Sequence, residues 1–223
     1  MPRPRASRVC AMAVLRVVLA SNSPRRQEYL AWLGVPFEVR VVPVDEAAQE
    51  GESPEAMGER LARAKAEAVP CAPDEIVLAA DTLVVLGHEV LGKPADADEA
   101  LRMLLALRGR QHEVLTAVAF RTRSELEVQV VKARVWMRSY TPAEVEAYIA
   151  SGQPFDKAGA YGIQDEPFSP VSRVEGCGLT VVGFPLCHIA QGLLRRGIPV
   201  PRQPVDLCRL SFDIRQCPVA LFG

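Results

Sequence analysis

A chain of 223 residues with 49% apolar content has material for one large domain, or two small lobes, around a full core. Its 26 basic and 27 acidic side chains leave a formal net charge of −1, so bulk attraction to nucleic acid or an anionic membrane is not expected. Six cysteines without a C-x-x-C pair and only three histidines argue against a zinc site or a disulfide framework.

Reduced thiols in a cytosol are the simplest reading, although four of the six cysteines lie beyond residue 176 and pairing there stays open. No apolar stretch reaches the length of a membrane-spanning helix. The leader carries Arg3, Arg5, Arg8 and Arg16 without an acid, and Arg16 interrupts the apolar centre that a signal peptide needs. Residues 1–13 are read as a disordered leader, or as a start set too early with Met12 the natural first residue. An organellar transit peptide is the weaker alternative.

From residue 14 strands and helices alternate, which predicts an α/β fold over 14–197. A first strand is expected over 14–20 and a helix over 24–33, ended by Gly34. Residues 35–44 read as a strand leading to Asp45 and Glu46. Ser53, Pro54 and Glu55 open a second helix with Met57, Leu61, Ala64 and Ala68 on one stripe. Residues 76–86 form an apolar run broken by Asp81 and Thr82, and Gly87 and His88 make a tight turn into Val90–Pro94. Asp96 caps a third helix with Leu101, Leu104 and Leu105 inward. Residues 112–120 and 125–137 read as a hairpin. Thr141 and Glu144 form a capping box for a fourth helix, which Ser151 and Gly152 end. A Gly-rich stretch spans 156–164, a last helix spans 185–196, and the proline-rich tail 198–223 has no evident partner.

The most informative segment is Ser21-Asn22-Ser23-Pro24-Arg25-Arg26. Ser23 suits an N-cap and Pro24 the first helical position. Two arginines then stand at the positive end of the helix dipole, where a cation is disfavoured by up to ~1 kcal/mol. They gain there only if an anion arrives, which points to a phosphate site. Arg26 falls on the side of Leu30 and Leu33 and points into the protein, while Arg25 projects elsewhere. The plain alternative is a solvated basic turn.

Asp81 is the second signal. An unpaired buried carboxylate costs several kcal/mol, on the order of the penalty for a lone buried ion, so it should sit at a strand end facing a cleft, a cation or a metal. Lys65, on the edge of an apolar stripe, and Lys93, in Leu91-Gly92-Lys93-Pro94, each read alone as surface lysines. Asp45 and Glu46 with Asp81 suit magnesium, which takes one or two carboxylates plus waters and substrate phosphates. His112 reads as a structural hydrogen-bonding residue. Gln164, at the end of Asp156-Lys157-Ala158-Gly159-Ala160-Tyr161-Gly162-Ile163-Gln164, offers a donor and an acceptor to the edge of a nucleobase.

In these segments, together with Ala80-Asp81-Thr82, the chain resembles the Maf-like nucleotide pyrophosphatases, from about residue 15 to residue 196. The resemblance implies a two-lobed α/β fold, a mixed sheet flanked by helices around a central cleft, like inosine triphosphate pyrophosphatases. It implies a cytoplasmic enzyme that cleaves nucleoside triphosphates between the α and β phosphates with a divalent cation, Mg2+ or Mn2+. It makes Asp81 the catalytic acid, Ser21, Arg26, Lys65 and Lys93 the phosphate-binding residues, and Glu46 a metal ligand beside Asp81. Arg25, Thr82 and Gln164 fall at positions that separate subfamilies and match the branch acting on dTTP and UTP, with modified pyrimidine triphosphates also compatible. The partner implied is the nucleotide, without nucleic acid or membrane, and a homodimer is compatible. The chain departs from the family pattern at Asp165-Glu166-Pro167-Phe168-Ser169-Pro170 and at Gly183-Phe184-Pro185. A nucleotidyltransferase and a non-catalytic nucleotide-binding regulator of cell division are the competing readings.

Overall fold

The computed structural model describes residues 15–211; the leader, Cys10, Cys217 and the far end of the tail lie outside them. Its centre is a mixed seven-stranded sheet in the order β2-β1-β3-β5-β6-β7, with β4 beside β3. The strands are β1 (Arg16–Leu19), β2 (Phe37–Val39), β3 (Glu75–Leu86), β4 (Glu89–Leu91), β5 (Gln111–Arg121), β6 (Leu126–Met137) and β7 (Val171–Gly176). The helices are α1 (Pro24–Trp32), α2 (Pro54–Ala68), α3 (Ala97–Leu107), α4 (Pro142–Ala150), α5 (Gly178–Val182), α6 (Leu186–Arg195) and α7 (Pro204–Ser211).

The pairing of β3 creates the site. On one side β3 is laddered to β5 from Val77 to Val85. On the other side it pairs in parallel with β1 only from Glu75 to Leu78, then antiparallel with β4 only from Val84 to Leu86. Residues 79–83 therefore have no strand on that side, and Asp81 stands in the middle of the gap. A sequence run without polar breaks other than Asp81 and Thr82 thus serves two partners in succession. Asp81 is mid-strand, not at a strand end as its context suggested, because the ladder stops beside it rather than the strand itself.

Separate apolar cores lie on either side of this gap. One gathers Leu30, Leu33, Leu78, Phe120, Phe184 and Leu193 under α1 and α6. Another gathers Leu86, Leu104, Leu107, Val135, Tyr140 and Phe168 under α3 and α4. Local signals set three helix starts: Ser53 accepts from Ala56 N, Asp96 from Glu99 N, and Thr141 with Glu144 completes the capping box.

Four expectations are revised. The strand over 35–44 shrinks to Phe37–Val39, because β1 ends at Leu19 and the chain beyond Arg40 has no ladder to join. The buried face of α2 is Gly58, Leu61, Ala62 and Ala66, with Met57, Ala64 and Ala68 at its margins, because small residues let the helix lie close on the sheet. A Cβ on Gly58 would stand 3.7 Å from Ala117 and Leu83. Leu105 is exposed, since the inward set of α3 is Ala100, Met103, Leu104 and Leu107. The segment after Gly197 does have a partner. Ile198 and Cys208 are buried in the α1/α6 core, and Arg202 N donates to Leu33 O at 3.2 Å.

Candidate active site

The gap in the ladder would leave the Ala80 carbonyl without a partner, and a buried carbonyl needs one. Arg26, in the first turn of α1, supplies it: Nη1 donates to Ala80 O at 2.6 Å and to Ser21 Oγ at 3.4 Å. Its Nε donates to Gly183 O at 3.0 Å, and Nη2 to Thr82 Oγ1 at 3.1 Å. Thr82 is held in turn by Thr116 at 3.1 Å, and Thr116 donates to Thr180 O at 2.8 Å. Four neutral oxygens thus fix the guanidinium and leave its charge uncompensated by direct contact. Burial pushes the Arg26 pKa down, while the charge of Asp81 pulls it back up.

Asp81 is buried, and its Oδ1 accepts from Lys65 Nζ at 2.5 Å. Lys65 also reaches Glu46 Oε1 at 2.7 Å. Burial raises the Glu46 pKa, but the Lys65 hydrogen bond and the charges of Lys65, Lys93 and Arg26 outweigh it and hold the carboxyl below its usual range. Asp45 does not share this position: its carboxylate accepts from Ala47 N at 2.9 Å and turns the loop.

Two adjoining cavities, of about 330 Å³ and about 490 Å³, meet at Arg25, Arg26, Glu46, Lys65 and Lys93. The first is also lined by Asp81, Thr82, Gln164 and the apolar side chains of Leu83, Val84, Val181 and Val182. The second adds Ser21, Asn22 and Val41–Val44. All nine site residues expected from the sequence, Ser21, Arg25, Arg26, Glu46, Lys65, Asp81, Thr82, Lys93 and Gln164, therefore line one continuous crevice. Lys93 is exposed at its mouth. Arg25 spans toward the Gly-rich stretch, with Nη2 3.3 Å from Asp156 Oδ2. Ser23 is the N-cap of α1 by position, yet its side chain makes no capping bond; its own amide donates to Ser21 Oγ at 3.2 Å.

The Gly-rich stretch packs tightly because its glycines admit close neighbours. Gly159 has a φ of +69°, and a Cβ there would stand 2.9 Å from Val84. Tyr161 lines the crevice, and its hydroxyl lies 2.7 Å from His112 Nε2. Burial holds the His112 pKa at about 4, which keeps the imidazole neutral and fits its structural reading. The Gln164 amide donates from Nε2 to Tyr29 Oη at 2.5 Å. Where the sequence leaves the family pattern, Asp165 meets Tyr148 and Lys157, and Phe168 stacks on Tyr148 with ring centroids 4.3 Å apart. Sequence marks Asp156 and Tyr161 only as members of the Gly-rich stretch, and it does not mark Tyr29 or the Val181–Val182 wall as part of a site. Aromatic and branched residues on a stripe carry no mark that separates a cavity wall from a core.

The donor set suits a hard divalent cation. Asp81 and Glu46 offer carboxylate oxygens on two sides of one ammonium group. Among the described residues no group of three or more His, Cys, Asp or Glu side chains is gathered for a metal.

The family model for Maf-like proteins matches residues 16–196. A dTTP/UTP pyrophosphatase of Anaeromyxobacter dehalogenans strain 2CP-1 is 50% identical over 190 residues, 83% of this chain and 96% of that protein. One from Myxococcus xanthus strain DK1622 is 49% identical over 186 residues, 83% of this chain and 94% of that protein. Among solved structures, the Ham1 protein of Staphylococcus aureus is 15% identical, with a TM-score of 0.43, over 87% of this chain and 96% of that one.

Proposed function

The chain belongs to the family of Maf-like proteins, and on that premise we propose that its crevice hydrolyses dTTP and UTP to the monophosphate and pyrophosphate. One observation carries the reading. Arg26 is fixed by neutral oxygens alone, in a crevice that Lys65 also lines and at the head of a helix, so its charge remains for a polyanion. Cations held in place before substrate arrives need no reorganisation as negative charge moves onto the leaving group.

In this reading Arg26, Lys65, Lys93, Ser21 and the amino end of α1 bind the triphosphate. Asp81 and Glu46 would hold a divalent cation, which when bound neutralises phosphate charge and lowers the barrier to attack. A water attacks the α-phosphorus. Its proton passes to the oxygen of Asp81 that Lys65 does not engage, the bond from the α-phosphorus to the bridging oxygen breaks, and pyrophosphate leaves against the cations. Lys65 holds the carboxylate at the angle this transfer needs. Gln164 reads the base edge, while Arg25 and Thr82 shape its side of the crevice. A cytoplasmic setting agrees with cysteines scattered without disulfide spacing.

The test is product analysis. Purified protein with UTP or dTTP and Mg2+ or Mn2+ is expected to yield the monophosphate and pyrophosphate in equal amounts with no second substrate. An Asp81→Asn variant, with unchanged melting temperature, is expected to lose about 10²–10³ in turnover, the usual loss of a key transition-state group. Nucleotide binding without turnover would favour a regulatory module. Dependence on an acceptor molecule would favour a transferase. Native turnover by the Asp81→Asn variant would remove Asp81 from the chemistry.

A further inference from the structure

Thr116 stands in the middle of β5, between Leu115 and Ala117 in an apolar run, and it is fully buried. A hydroxyl in such a place is costly unless it is hydrogen-bonded. Both of its partners lead to Arg26. Thr116 itself lines neither cavity of the crevice.

The direction of each bond follows from the groups themselves. Thr180 O is a carbonyl and can only accept, so at 2.8 Å it takes the one hydroxyl proton of Thr116. The 3.1 Å contact between the Thr82 and Thr116 hydroxyls is then donated by Thr82. Arg26 Nη2 can only donate, so Thr82 Oγ1 accepts from it at 3.1 Å. The chain runs one way, from the guanidinium through Thr82 and Thr116 to the backbone of α5, and it commits both hydroxyl protons. Thr82 and Thr116 are direct partners in the ladder of β3 with β5, which sets the spacing of their side chains. A second route passes through α5. Thr116 ties that helix to the sheet at Thr180, and at its end Gly183 O accepts from Arg26 Nε at 3.0 Å.

We infer that Thr116 is a positioning residue for Arg26: from behind the crevice it holds the Nε and Nη2 edge of the guanidinium, through Thr82 and through Gly183. The charge is thereby fixed before a triphosphate arrives. This rests on the reading of the crevice as a nucleoside triphosphate pyrophosphatase site. Valine at position 116 would keep the shape of the side chain. It would also leave the Thr82 hydroxyl without its acceptor and untie α5 from the sheet at Thr180.

The experiment measures kcat and KM for UTP with Mg2+, well below the melting temperature, in the full-length protein and in Thr116→Val, Thr116→Ser and Thr180→Val. Thr116→Val is expected to lower kcat/KM about tenfold, the weight of one hydrogen bond to a charged group. Thr116→Ser keeps the donor and the acceptor and is expected to restore most of that loss. Serine also deletes a buried methyl group, so its melting temperature is expected to fall while its activity holds. Thr180→Val is the matched control. Its hydroxyl is buried without a partner among the described residues, and its carbonyl stays in place, so native kinetics are expected. Thr116→Ala gives the same comparison should the valine variant fail to fold. Native kcat/KM in Thr116→Val, from a protein that does hydrolyse UTP, would overturn the role of Thr116 and leave the reading of the crevice standing. Equal losses in Thr116→Val and Thr116→Ser, or in Thr116→Val and Thr180→Val, would also overturn it, since the loss would then follow packing rather than the hydroxyl. A native protein without turnover of UTP would remove the reading of the crevice, and this inference with it.

Discussion

His112 Nε2 meets the Tyr161 hydroxyl in a seat closed to water, and burial holds its pKa at about 4 against 6.5 for the free imidazole. The unfolded chain therefore takes up this proton first as pH falls. The stability conferred by the neutral seat is complete above about pH 6.5 and is lost as pH drops toward 4, by roughly 2–3 kcal/mol at most. Nδ1 has no hydrogen-bond partner among the described residues, so protonation would bury a donor without an acceptor. Urea midpoints at pH 7.5 and pH 5 are expected to differ clearly in the native protein. His112→Gln should remove most of that difference, with His188, whose pKa burial also lowers, supplying the remainder. An identical difference in the variant would show that the proton is taken up elsewhere. At this scale the sequence was legible where a residue contradicts its surroundings. Asp81 and Thr82 interrupt an apolar run, and Arg25 and Arg26 stand at the wrong end of a helix dipole. Tyr29 and Tyr161 contradict nothing, because an aromatic residue on an apolar stripe looks the same whether or not its hydroxyl works.

The elements show the same division one level up. Caps and a glycine stop are written within a few residues, so the start of α3 and both bounds of α4 could be read locally. The length of β2 and the inward face of α2 depend on distant neighbours, as does the change of partner along β3. Periodicity alone could not supply these. The turn after α5 is where an element meets the site most directly. Gly183 ends α5 with a φ of +94°, its carbonyl accepts from Arg26, and a Cβ there would stand 2.8 Å from Thr82 Oγ1. Gly183→Ala should therefore cost about 1–2 kcal/mol through left-handed backbone strain. It should also displace Thr82 and, through it, Arg26, lowering kcat/KM by about 10–10². Gly197→Ala is the control. It has a φ of +75° but open space around the new Cβ, so it should lose stability without the loss in turnover. Equal kinetics in the two variants would mean that the α5 turn does not position Arg26.

Over the whole molecule, the sheet brings residues from 21 to 164 into one crevice, and the apolar cores on its two sides hold the walls apart. The chain after Gly197 bears on one of them. Its proline content reads as a tail, yet Pro204 opens α7 at the first helical position. Pro201 packs on the turn at Gly34, where a Cβ would come within 3.3 Å of its ring. Ile198 and Cys208 are buried, Leu207 packs beside them, and a hydrogen bond from the Cys208 side chain holds the Cys187 thiol of α6 below its ordinary pKa. The segment thus closes the core that seats Tyr29, Leu30 and Leu33 of α1, the helix that carries Arg25 and Arg26. A chain ending at Gly197 should lose about 3–6 kcal/mol against one ending at Ser211, from the apolar side chains no longer buried. The loss should appear in the urea midpoint before it appears in kcat at low temperature, because it loosens the seat of α1 and leaves every crevice residue in the chain. Matching midpoints for the two lengths would mean that α1 and α6 close their core without the segment. In that case its packing would follow from the fold rather than support the site.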